Sequence, residues 1–301
     1  MSMELVNVNI GLLGCGTVGA SLCKLIDEQS EAIAERTGIK LDVAMVAVRD
    51  VSQSRDVPVA PSLFTDDPNS VIESPDVDVV VEVMGGINPS KELILKALEL
   101  GKPVVTANKE LLATHGDELY SLAKQSDVDL LFEAAVAAAI PIIRPLRESL
   151  AGEPITRVMG IVNGTTNFIL TKMAEENMPY AEALDEAQKL GYAESDPTAD
   201  VEGHDAAAKA AIIASLAFGG QVTLDDVHVE GITNITPEDI DFAHRLNHCI
   251  KLLAITEKRK SGGQDALCIR VHPSMVPLTH PLATVRESFN AIFVEGDAMG
   301  E

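Results

Sequence analysis

The sequence predicts an α/β protein with two domains, a doubly wound parallel sheet over residues 1–135 and an α+β domain with a mixed sheet over residues 136–301. Three observations lead to this prediction. An apolar run, Val6–Leu13, leads directly into a glycine-rich turn and the helix-like segment Ala20–Ala34. Strand-like and helix-like segments then alternate through the first domain, which is typical of parallel strands joined by right-handed crossovers. After Pro141 the pattern changes to clustered helices and consecutive strands, which favours a mixed or antiparallel sheet.

The other elements of the first domain follow from hydrophobic periodicity and from the residues that end each segment. Short apolar runs rich in valine predict strands, and apolar residues at helical spacing predict helices. One of these helices stops at Gly101, as glycine commonly ends helices. The predicted strands are Leu41–Val48, Val77–Val83, Pro103–Thr106 and Asp129–Phe132, and the predicted helices are Pro89–Leu100 and Glu110–Gln125. Ligands of such sheets bind beyond the carboxyl ends of the strands, which here are Leu13, Arg49, Met84, Thr106 and Glu133.

The second domain begins with a strand, Ile155–Val162, followed by an Asn-Gly-Thr-Thr-Asn segment and a helical run to Glu176. Pro237 opens a late helix, because proline at the first helical position loses no intrahelical hydrogen bond. The glycines of Ser261-Gly262-Gly263 predict a hairpin turn or a loose loop. The remaining predicted helices are Tyr180–Leu190, Val201–Ala217 and 237–249, and the remaining predicted strands are Lys251–Thr256, Ala266–Val271 and Asn290–Val294.

The first strand and helix enclose the motif G-x-G-x-x-G, written here as Gly14-Cys15-Gly16-Thr17-Val18-Gly19. In this setting Gly14 permits the tight turn, Gly16 lets the backbone approach a pyrophosphate, and Gly19 allows close packing of helix on strand. The pyrophosphate would lie at the helix N-terminus, where N–H groups and the helix dipole favour an anion. The motif therefore predicts a Rossmann dinucleotide-binding domain, against the alternative of a glycine-rich turn without function. The residues predicted to bind the cofactor here are Leu13, Gly14, Gly16, Thr17, Val18 and Gly19.

The end of the second strand bears on the choice of cofactor. Rossmann domains that use NAD carry an acidic residue there for the ribose hydroxyl, whereas an arginine accommodates the 2′-phosphate of NADP. This sequence has both, since the strand ends in Arg49 followed by Asp50. Arg49 could bind a phosphate with its planar fork, and both residues could equally be solvated loop charges. We favour Arg49 as a cofactor-binding residue, with NADP preferred and NAD tolerated.

Composition excludes several classes of partner. The formal net charge of −23 argues against binding to nucleic acid or an anionic membrane. The most apolar stretch, Ala206–Gly220, carries a lysine and is too short to span a bilayer. The N-terminus has no basic region leading into an apolar core, so no signal peptide is expected. The four cysteines show no metal-ligand spacing, which favours reduced thiols. We therefore predict a cytoplasmic protein.

In the second domain, a segment with several acidic residues and one lysine leads into an almost wholly apolar helix. Asp205 and Lys209 are four positions apart, so they share a helix face. Lys209 faces alanine and isoleucine, a setting in which a lysine can give and take a proton near neutral pH. The alternative is a surface ion pair worth a few tenths of a kcal/mol, and the spacing alone leaves this alternative open.

The chain resembles the homoserine dehydrogenase family along essentially the whole length of the chain. The matching stretch Gly11–Gly19 is generic to dinucleotide folds, whereas the Asn163–Phe168 block and the run from Glu194 to Lys209 are specific to this family. The matching stretches are Gly11–Gly19, Thr106–Lys109, Gly160–Leu170, Gly191–Glu194, 196–209 and Glu295–Glu301.

The resemblance implies an NAD(P)-dependent interconversion of L-homoserine and L-aspartate 4-semialdehyde, on the route to threonine, isoleucine and methionine. It implies that Lys209 is the proton donor and acceptor, and that Glu194 and Asp205 bind the substrate, with Asp205 also orienting Lys209. Lys109 is implied to lie beside the nicotinamide and to assist cofactor binding and proton transfer. These roles suit the chemistry, because hydride transfer needs a base at the hydroxyl and a substrate ammonium needs acidic partners.

The resemblance extends to further ligands and to assembly. Gly191 and Gly300 join the residues predicted to bind the cofactor. The second domain is implied to be the catalytic and dimerisation domain of a homodimer or homotetramer. Members of the family also continue beyond Glu301 with a glycine-rich loop and a helix, and many add a regulatory ACT domain. We therefore expect a C-terminally truncated member.

A monovalent cation, usually sodium, is a further ligand that the resemblance implies. Its ligands would be the Glu133 side chain and the carbonyl oxygens of Val136, Ala138 and Ile140. This sequence departs from the family by having alanines where Ala-Gly-Gly is common. Carbonyl ligation survives such a change, but a glycine that needs a positive φ is not replaced without cost.

Two other functions compete with this prediction. A phosphorylating semialdehyde dehydrogenase would need a cysteine nucleophile, and none of the four cysteines has a helix-start setting in the second domain. The other is a non-catalytic NAD(P)-sensing module. A sensor that binds DNA would need a basic surface and a recognition helix, which the charge of −23 opposes.

Overall fold

The computed structural model describes residues 5–137, 139–261 and 264–300. The chain forms two units, each made from one continuous stretch, Met1–Ala135 and Val136–Glu301. Among the described residues, no helix has both the length and the apolar character needed to cross a membrane.

The first unit is a parallel sheet flanked by helices, as the sequence predicts. Within the described residues its strand order is β3-β2-β1-β4-β5-β6, with every pair parallel. The strands are β1 (Val6–Leu13), β2 (Ile39–Ala47), β3 (Phe64–Thr65), β4 (Val79–Glu82), β5 (Val104–Thr106) and β6 (Leu130–Leu131). The helices are α1 (Thr17–Thr37), α2 (Pro68–Glu73), α3 (Ser90–Glu99) and α4 (Lys109–Gln125). The order reverses between β1 and β4, and ligands of such sheets bind at this point, beyond the carboxyl ends of the strands.

The core of this unit explains why the glycine turn lies where it does. Ile10 and Leu12 of β1 are buried against Val46 of β2, Val81 of β4 and Ile26 of α1. Central strands of a parallel sheet are covered on both faces, so they need near-continuous apolar sequence. Burial of β1 therefore fixes the position of its carboxyl end, where the glycine turn begins.

Sequence periodicity missed two short elements of this unit, β3 and α2. The strand β3 has two residues, too few to show an alternation. Helix α2 has six residues but a clear start signal, because the Asp67 side chain accepts the Asn69 N–H at 2.9 Å and Pro68 occupies the first turn. An aspartate followed by a proline is the common beginning of a helix.

The second unit contains a mixed sheet, again as predicted. Within the described residues the order is β11-β7-β9-β10-β8, with β8 parallel to β10 and the other pairs antiparallel. The strands are β7 (Ile155–Ile161), β8 (His228–Val229), β9 (His248–Ser261), β10 (Gln264–Pro277) and β11 (Ala291–Gly296). The helices are α5 (Gly164–Glu176), α6 (Tyr180–Lys189), α7 (Thr198–Val201), α8 (His204–Phe218) and α9 (Pro237–Arg245). Helix α8 packs on β7, β9 and β10.

Two predicted helices were wrong in their extent. The single helix predicted over Val201–Ala217 is instead α7 and α8, separated at Gly203, whose φ of 85° is incompatible with a continuing helix. The helix predicted to reach Cys249 ends at Arg245, because Asn247 has a φ of 59° and turns the chain into β9. The predicted turn over 261–263 includes Gly262 and Gly263, which lie outside the described residues.

Candidate active site

The glycine turn after β1 is tightly packed. Gly14 has a φ of 99°, and a β-carbon there would lie 3.0 Å from the Val83 carbonyl oxygen. The Gly14 N–H donates to the carbonyl oxygen of Ala47 at 3.0 Å. A β-carbon on Gly19 would lie 2.2 Å from the Gly14 carbonyl oxygen, so α1 packs directly on the turn. A larger residue at Gly19 would push the helix away from the turn, and one at Gly14 would crowd the loop after β4 in a backbone conformation that favours glycine.

The N-terminus of α1 offers space and a suitable field for an anion. Apart from its chain neighbours, no heavy atom of the described residues lies within 4 Å of a β-carbon built on Gly16. Thr17 and Val18 beside it are exposed, and the first turn of α1 has no acidic residue. The first N–H groups of a helix lack intrahelical acceptors, and together with the helix dipole they favour negative charge. The turn therefore fits a dinucleotide pyrophosphate.

Arg49 and Asp50, just beyond β2, differ in how they are engaged. The Asp50 carboxylate accepts the Ser52 hydroxyl at 2.6 Å and the Ser52 N–H at 2.8 Å. The Ser52 hydroxyl and then its N–H hold the pKa of Asp50 below its ordinary value. Arg49 is exposed, and its guanidinium has no partner in the part of the chain that the structure describes. The Asp50 carboxylate therefore stabilises a turn through Ser52, whereas the Arg49 guanidinium is available to a ligand.

Glu82 is a buried carboxylate at the end of β4 that sequence reasoning missed. It is 0% exposed. One oxygen accepts the N–H groups of Met84 and Gly85 at 2.8 and 3.0 Å, and the other accepts the Thr106 hydroxyl at 2.7 Å. The carboxylate therefore fixes the loop after β4 relative to the end of β5. A glutamate that closes a run of buried valines was the available signal.

Lys109 begins α4, three residues after Thr106, the β5 residue whose hydroxyl donates to Glu82. The preceding residue, Asn108, caps the helix by accepting the Leu111 N–H at 3.1 Å. Its amide donates to the Gly86 carbonyl oxygen at 2.6 Å, and its own N–H donates to the Thr106 hydroxyl at 3.0 Å. Lys109 is half-buried. Its position at the carboxyl end of β5 is therefore set on both sides by buried hydrogen bonds.

Asp205 and Lys209 form a buried ion pair on α8. The Lys209 Nζ lies 2.6 Å from Oδ2 of Asp205 and donates to the Val162 carbonyl oxygen at 2.7 Å. The side chains of Lys209 and Asp205 are 14% and 6% exposed. Asp205 also lies in the first turn of α8, where the helix dipole favours a carboxylate. Their burial argues against the alternative of a solvated surface pair.

A side chain outside the predicted site, Asn163, contacts this pair. Its amide nitrogen donates to Oδ2 of Asp205 at 2.9 Å and to Oδ1 of Asp200 at 2.7 Å. Its amide oxygen accepts the Thr166 N–H at 2.9 Å and so caps α5. Sequence reasoning included Asn163 in a family motif but assigned it no role, because the residues that it joins are distant in the chain.

Glu194 lies in the loop between α6 and α7. Its carbonyl oxygen accepts the Gln188 amide at 3.0 Å, while its carboxylate is exposed and has no partner among the described residues. The Thr165 hydroxyl donates to the Tyr192 carbonyl oxygen at 2.7 Å, and the rings of Phe168 and Tyr192 lie 4.9 Å apart. The loop is therefore anchored on α5, which leaves the Glu194 carboxylate free to meet a ligand.

The two glycines predicted to bind the cofactor from the second unit both lie in exposed turns. Gly191 follows α6 with a φ of 79°. Gly300 has a φ of 75° and exchanges two backbone hydrogen bonds with Gly296, at 2.9 and 3.0 Å. The N–H groups of Ala298 and Met299, which lie in that turn, donate to the Glu153 carboxylate at 2.8 and 3.1 Å. The backbone N–H groups of Ala298, Met299 and Gly300 are therefore already engaged.

The predicted cation ligands are described in part. Glu133 lies in a single turn of 3₁₀-helix, Glu133–Ala135. Ala137 has a φ of 55°, a conformation that alanine adopts at a cost. The Ile140 carbonyl oxygen accepts the Ile142 N–H at 2.9 Å, and Ala138 lies outside the described residues. The donors are carboxylate and carbonyl oxygens, which suit a hard cation.

The parallel sheet, the glycine turn at its switch point and the buried lysine–carboxylate pair are typical of dinucleotide-dependent dehydrogenases. Residues 14–133 match the family model described as "Homoserine dehydrogenase, NAD binding domain", and residues 141–301 match the model described as "Homoserine dehydrogenase". The chain belongs to the homoserine dehydrogenase family.

Individual relatives agree with this assignment. The chain is 56% identical to the homoserine dehydrogenase of Corynebacterium glutamicum, over 97% of this chain and 66% of that protein. It is similar to the crystal structure of a homoserine dehydrogenase from Thiobacillus denitrificans, with a TM-score of 0.91 and 41% identity over 99% of this chain and 68% of the other. A hyperthermophilic archaeal homoserine dehydrogenase in complex with NADPH has a TM-score of 0.79 and 30% identity, over 98% of this chain and 90% of its own.

Proposed function

We propose that the protein catalyses the NAD(P)-dependent interconversion of L-homoserine and L-aspartate 4-semialdehyde, a step towards threonine, isoleucine and methionine. The observation that carries the proposal is the buried pair of Asp205 and Lys209, in a chain whose two halves match both family models. The chain spans 66% of the length of its Corynebacterium relative.

Lys209 is the proposed acid and base. The ammonium group has three protons, of which Asp205 and Val162 bind two. The third has no acceptor among the described residues and is available to a substrate oxygen. In alcohol oxidation the neutral amine accepts the hydroxyl proton, and in aldehyde reduction the ammonium returns it. When bound, the nicotinamide supplies the hydride acceptor or donor.

Asp205 and Glu194 are the proposed substrate-binding residues. The ammonium group of an amino-acid substrate needs negative partners, and the Glu194 carboxylate is exposed and unpaired within the described chain. Asp205 additionally orients Lys209 through their hydrogen bond of 2.6 Å. Lys109 is proposed to assist cofactor binding and proton transfer.

The proposed cofactor is NADP, with NAD also accepted. The Arg49 guanidinium has no partner among the residues that the structure describes, whereas Asp50 is bonded to Ser52. An NADPH complex of an archaeal relative supports the same choice. The glycine turn would hold the pyrophosphate, and the proposed cofactor-binding residues are Leu13, Gly14, Gly16, Thr17, Val18, Gly19, Arg49, Lys109, Gly191 and Gly300.

Three further properties are part of the proposal. A monovalent cation, sodium, would bind the Glu133 carboxylate and the carbonyl oxygens of Val136, Ala138 and Ile140. Oxygen donors and the left-handed backbone of Ala137 support this assignment. The active form would be a homodimer or homotetramer in the cytoplasm, and the formal charge of −23 favours neither nucleic acid nor membrane as a partner.

The test is a spectrophotometric assay of the purified chain with L-homoserine and either NADP or NAD, with sodium or choline as the counter-cation. We expect homoserine-dependent reduction of NADP, slower reduction of NAD and stimulation by sodium. Cofactor binding without turnover would favour an NAD(P)-sensing module, and phosphate-dependent oxidation of the semialdehyde would favour the other class of dehydrogenase. Either result contradicts the proposal.

A further inference from the structure

The amide of Asn163 is completely engaged in the interior of the second unit. The residue is 5% exposed. An asparagine amide has two donor hydrogens and an oxygen with two lone pairs. The nitrogen reaches Asp200 at 2.7 Å and Asp205 at 2.9 Å, while the oxygen accepts the N–H and the hydroxyl of Thr166, both at 2.9 Å. The reverse placement of oxygen and nitrogen would set the oxygen against two carboxylates, so this network fixes the orientation.

The two carboxylates belong to different helices. Asp200 lies on α7 and Asp205 on α8, and the chain between them turns at Gly203 with a φ of 85°. The Asn163 amide therefore joins α7 and α8 to the junction of β7 and α5. The residue just before it, Val162, supplies the carbonyl oxygen that accepts a hydrogen bond from Lys209 Nζ at 2.7 Å. One short segment thus holds both members of the ion pair.

The amide also acts on the strength of the ion pair. Oδ2 of Asp205 accepts hydrogen bonds from both Asn163 and Lys209. A carboxylate oxygen that is shared with a neutral donor attracts an ammonium less strongly than one that is not. A neutral donor also satisfies Asp200 and Asp205 without adding a second cation. The charged groups of the helices that meet this amide are Asp200 on α7 and Asp205 and Lys209 on α8.

We propose that Asn163 is a positioning residue for the acid–base lysine: it aligns Asp205 with Lys209 and weakens their pairing enough for the lysine to exchange a proton with substrate. This inference rests on the proposed function. The competing explanation is that Asn163 only caps α5. The two explanations differ because capping needs the amide oxygen, whereas positioning needs the amide nitrogen.

Asn163→Asp separates these roles. Aspartate caps a helix as well as asparagine does, so the Thr166 contact is preserved while the donor becomes a third carboxylate. We expect kcat to fall about 100-fold, the cost of a misplaced catalytic group. We also expect kcat/KM for homoserine oxidation to reach its plateau at higher pH, because the lysine holds its proton more tightly. Asn163→Ser removes the amide without adding charge, and we expect a smaller loss of kcat than with aspartate.

Thr236→Ala is the matched control. Thr236 caps α9 by accepting the Asp239 N–H at 3.2 Å, so its loss weakens a helix in the same unit without touching the amide network. We expect lower stability with an unchanged pH profile. The inference would be overturned if Asn163→Asp folds, keeps kcat within about threefold of the parent and leaves the pH profile unchanged. Asn163 would then have only the role of capping α5.

A second readout keeps this inference separate from the proposed function. The Lys209 signal in a protein carrying isotope-labelled lysine can be followed by NMR during a pH titration, without any turnover. A displaced titration in Asn163→Asp supports the inference even if the parent fails to oxidise homoserine, which would contradict only the proposed function. An identical titration in parent and variant overturns the inference, whether or not the parent is active.

Discussion

Glu82 and Thr106 are joined by a buried hydrogen bond of 2.7 Å between the carboxyl ends of two adjacent parallel strands. The same carboxylate accepts two backbone N–H groups of the loop after β4. Side chains on this edge of a Rossmann sheet contact the cofactor. The bond therefore ties the shape of the proposed nucleotide site to the stability of the sheet.

Glu82→Gln keeps the size of the side chain but replaces an accepting oxygen with a donor. Because a buried polar group then faces a donor or loses its partner, the free energy of unfolding is expected to fall by about 1–3 kcal/mol. Urea denaturation measures this loss, and isothermal titration should show weaker NADP binding. The control is Glu73→Gln, which removes an exposed partner of Lys96 and should cost less than about 1 kcal/mol. Equal stabilities of the two variants would contradict the anchoring role.

Arg49→Ala should weaken NADP binding selectively. Loss of one charge-assisted contact to the 2′-phosphate costs about 1.5–3 kcal/mol, or about 10- to 150-fold in Kd. NAD lacks that phosphate, so its Kd should stay near that of the parent. The control is Arg36→Ala, an arginine whose side chain donates to the Ala32 carbonyl oxygen of its own helix. If both dinucleotides lose affinity equally, Arg49 has a structural role instead.

Lys209→Ala should reduce kcat by about 10²- to 10⁴-fold, as expected for removal of a general acid–base group. The Kd for NADP, measured by titration, should change little. The variant also leaves Asp205 buried without its cation, so circular dichroism must first establish that the protein is folded. The control is Lys189→Ala, an exposed lysine paired with Asp185 four residues earlier. Substantial turnover by a folded Lys209→Ala protein would remove the lysine from the mechanism.

Glu194→Gln tests whether the exposed Glu194 carboxylate binds the substrate. The substitution keeps size and hydrogen-bonding capacity but removes the charge that would bind the substrate ammonium. We expect KM for homoserine to rise about tenfold or more, with an unchanged Kd for NADP. Glu182→Gln removes another exposed carboxylate, from α6, and should leave KM unaltered. A KM for Glu194→Gln that matches this control would place Glu194 outside the site.

Periodicity and glycine positions predicted the fold well because the elements that matter most are long and strongly apolar. The run Val6–Leu13 and the glycine turn could be read directly, since each residue acts within its own segment. The same method failed where a single backbone angle decided the outcome. Gly203 divides one apolar helix in two, and Asn247 ends another before Cys249, although neither conformation changes the hydrophobic pattern.

The candidate site was predictable only as far as local spacing and family resemblance reach. Asp205 and Lys209 lie four residues apart, so helix geometry alone brings them together. Asn163 bonds to a residue 42 positions away, and Glu82 bonds to one 24 positions away. Such pairs depend on which strands and helices become neighbours. No local pattern reveals them.

The order of strands in the first sheet has a consequence for folding during synthesis. The first strand made, β1, lies inside the sheet, β2 and β3 extend it on one side, and β4, β5 and β6 extend it on the other. Because this unit is one continuous stretch of chain, each strand that leaves the ribosome meets an edge already formed by its predecessors. Domains commonly fold in this N-terminal-first order. The nucleotide-binding half can thus be complete before the helix that carries Lys209 has been translated.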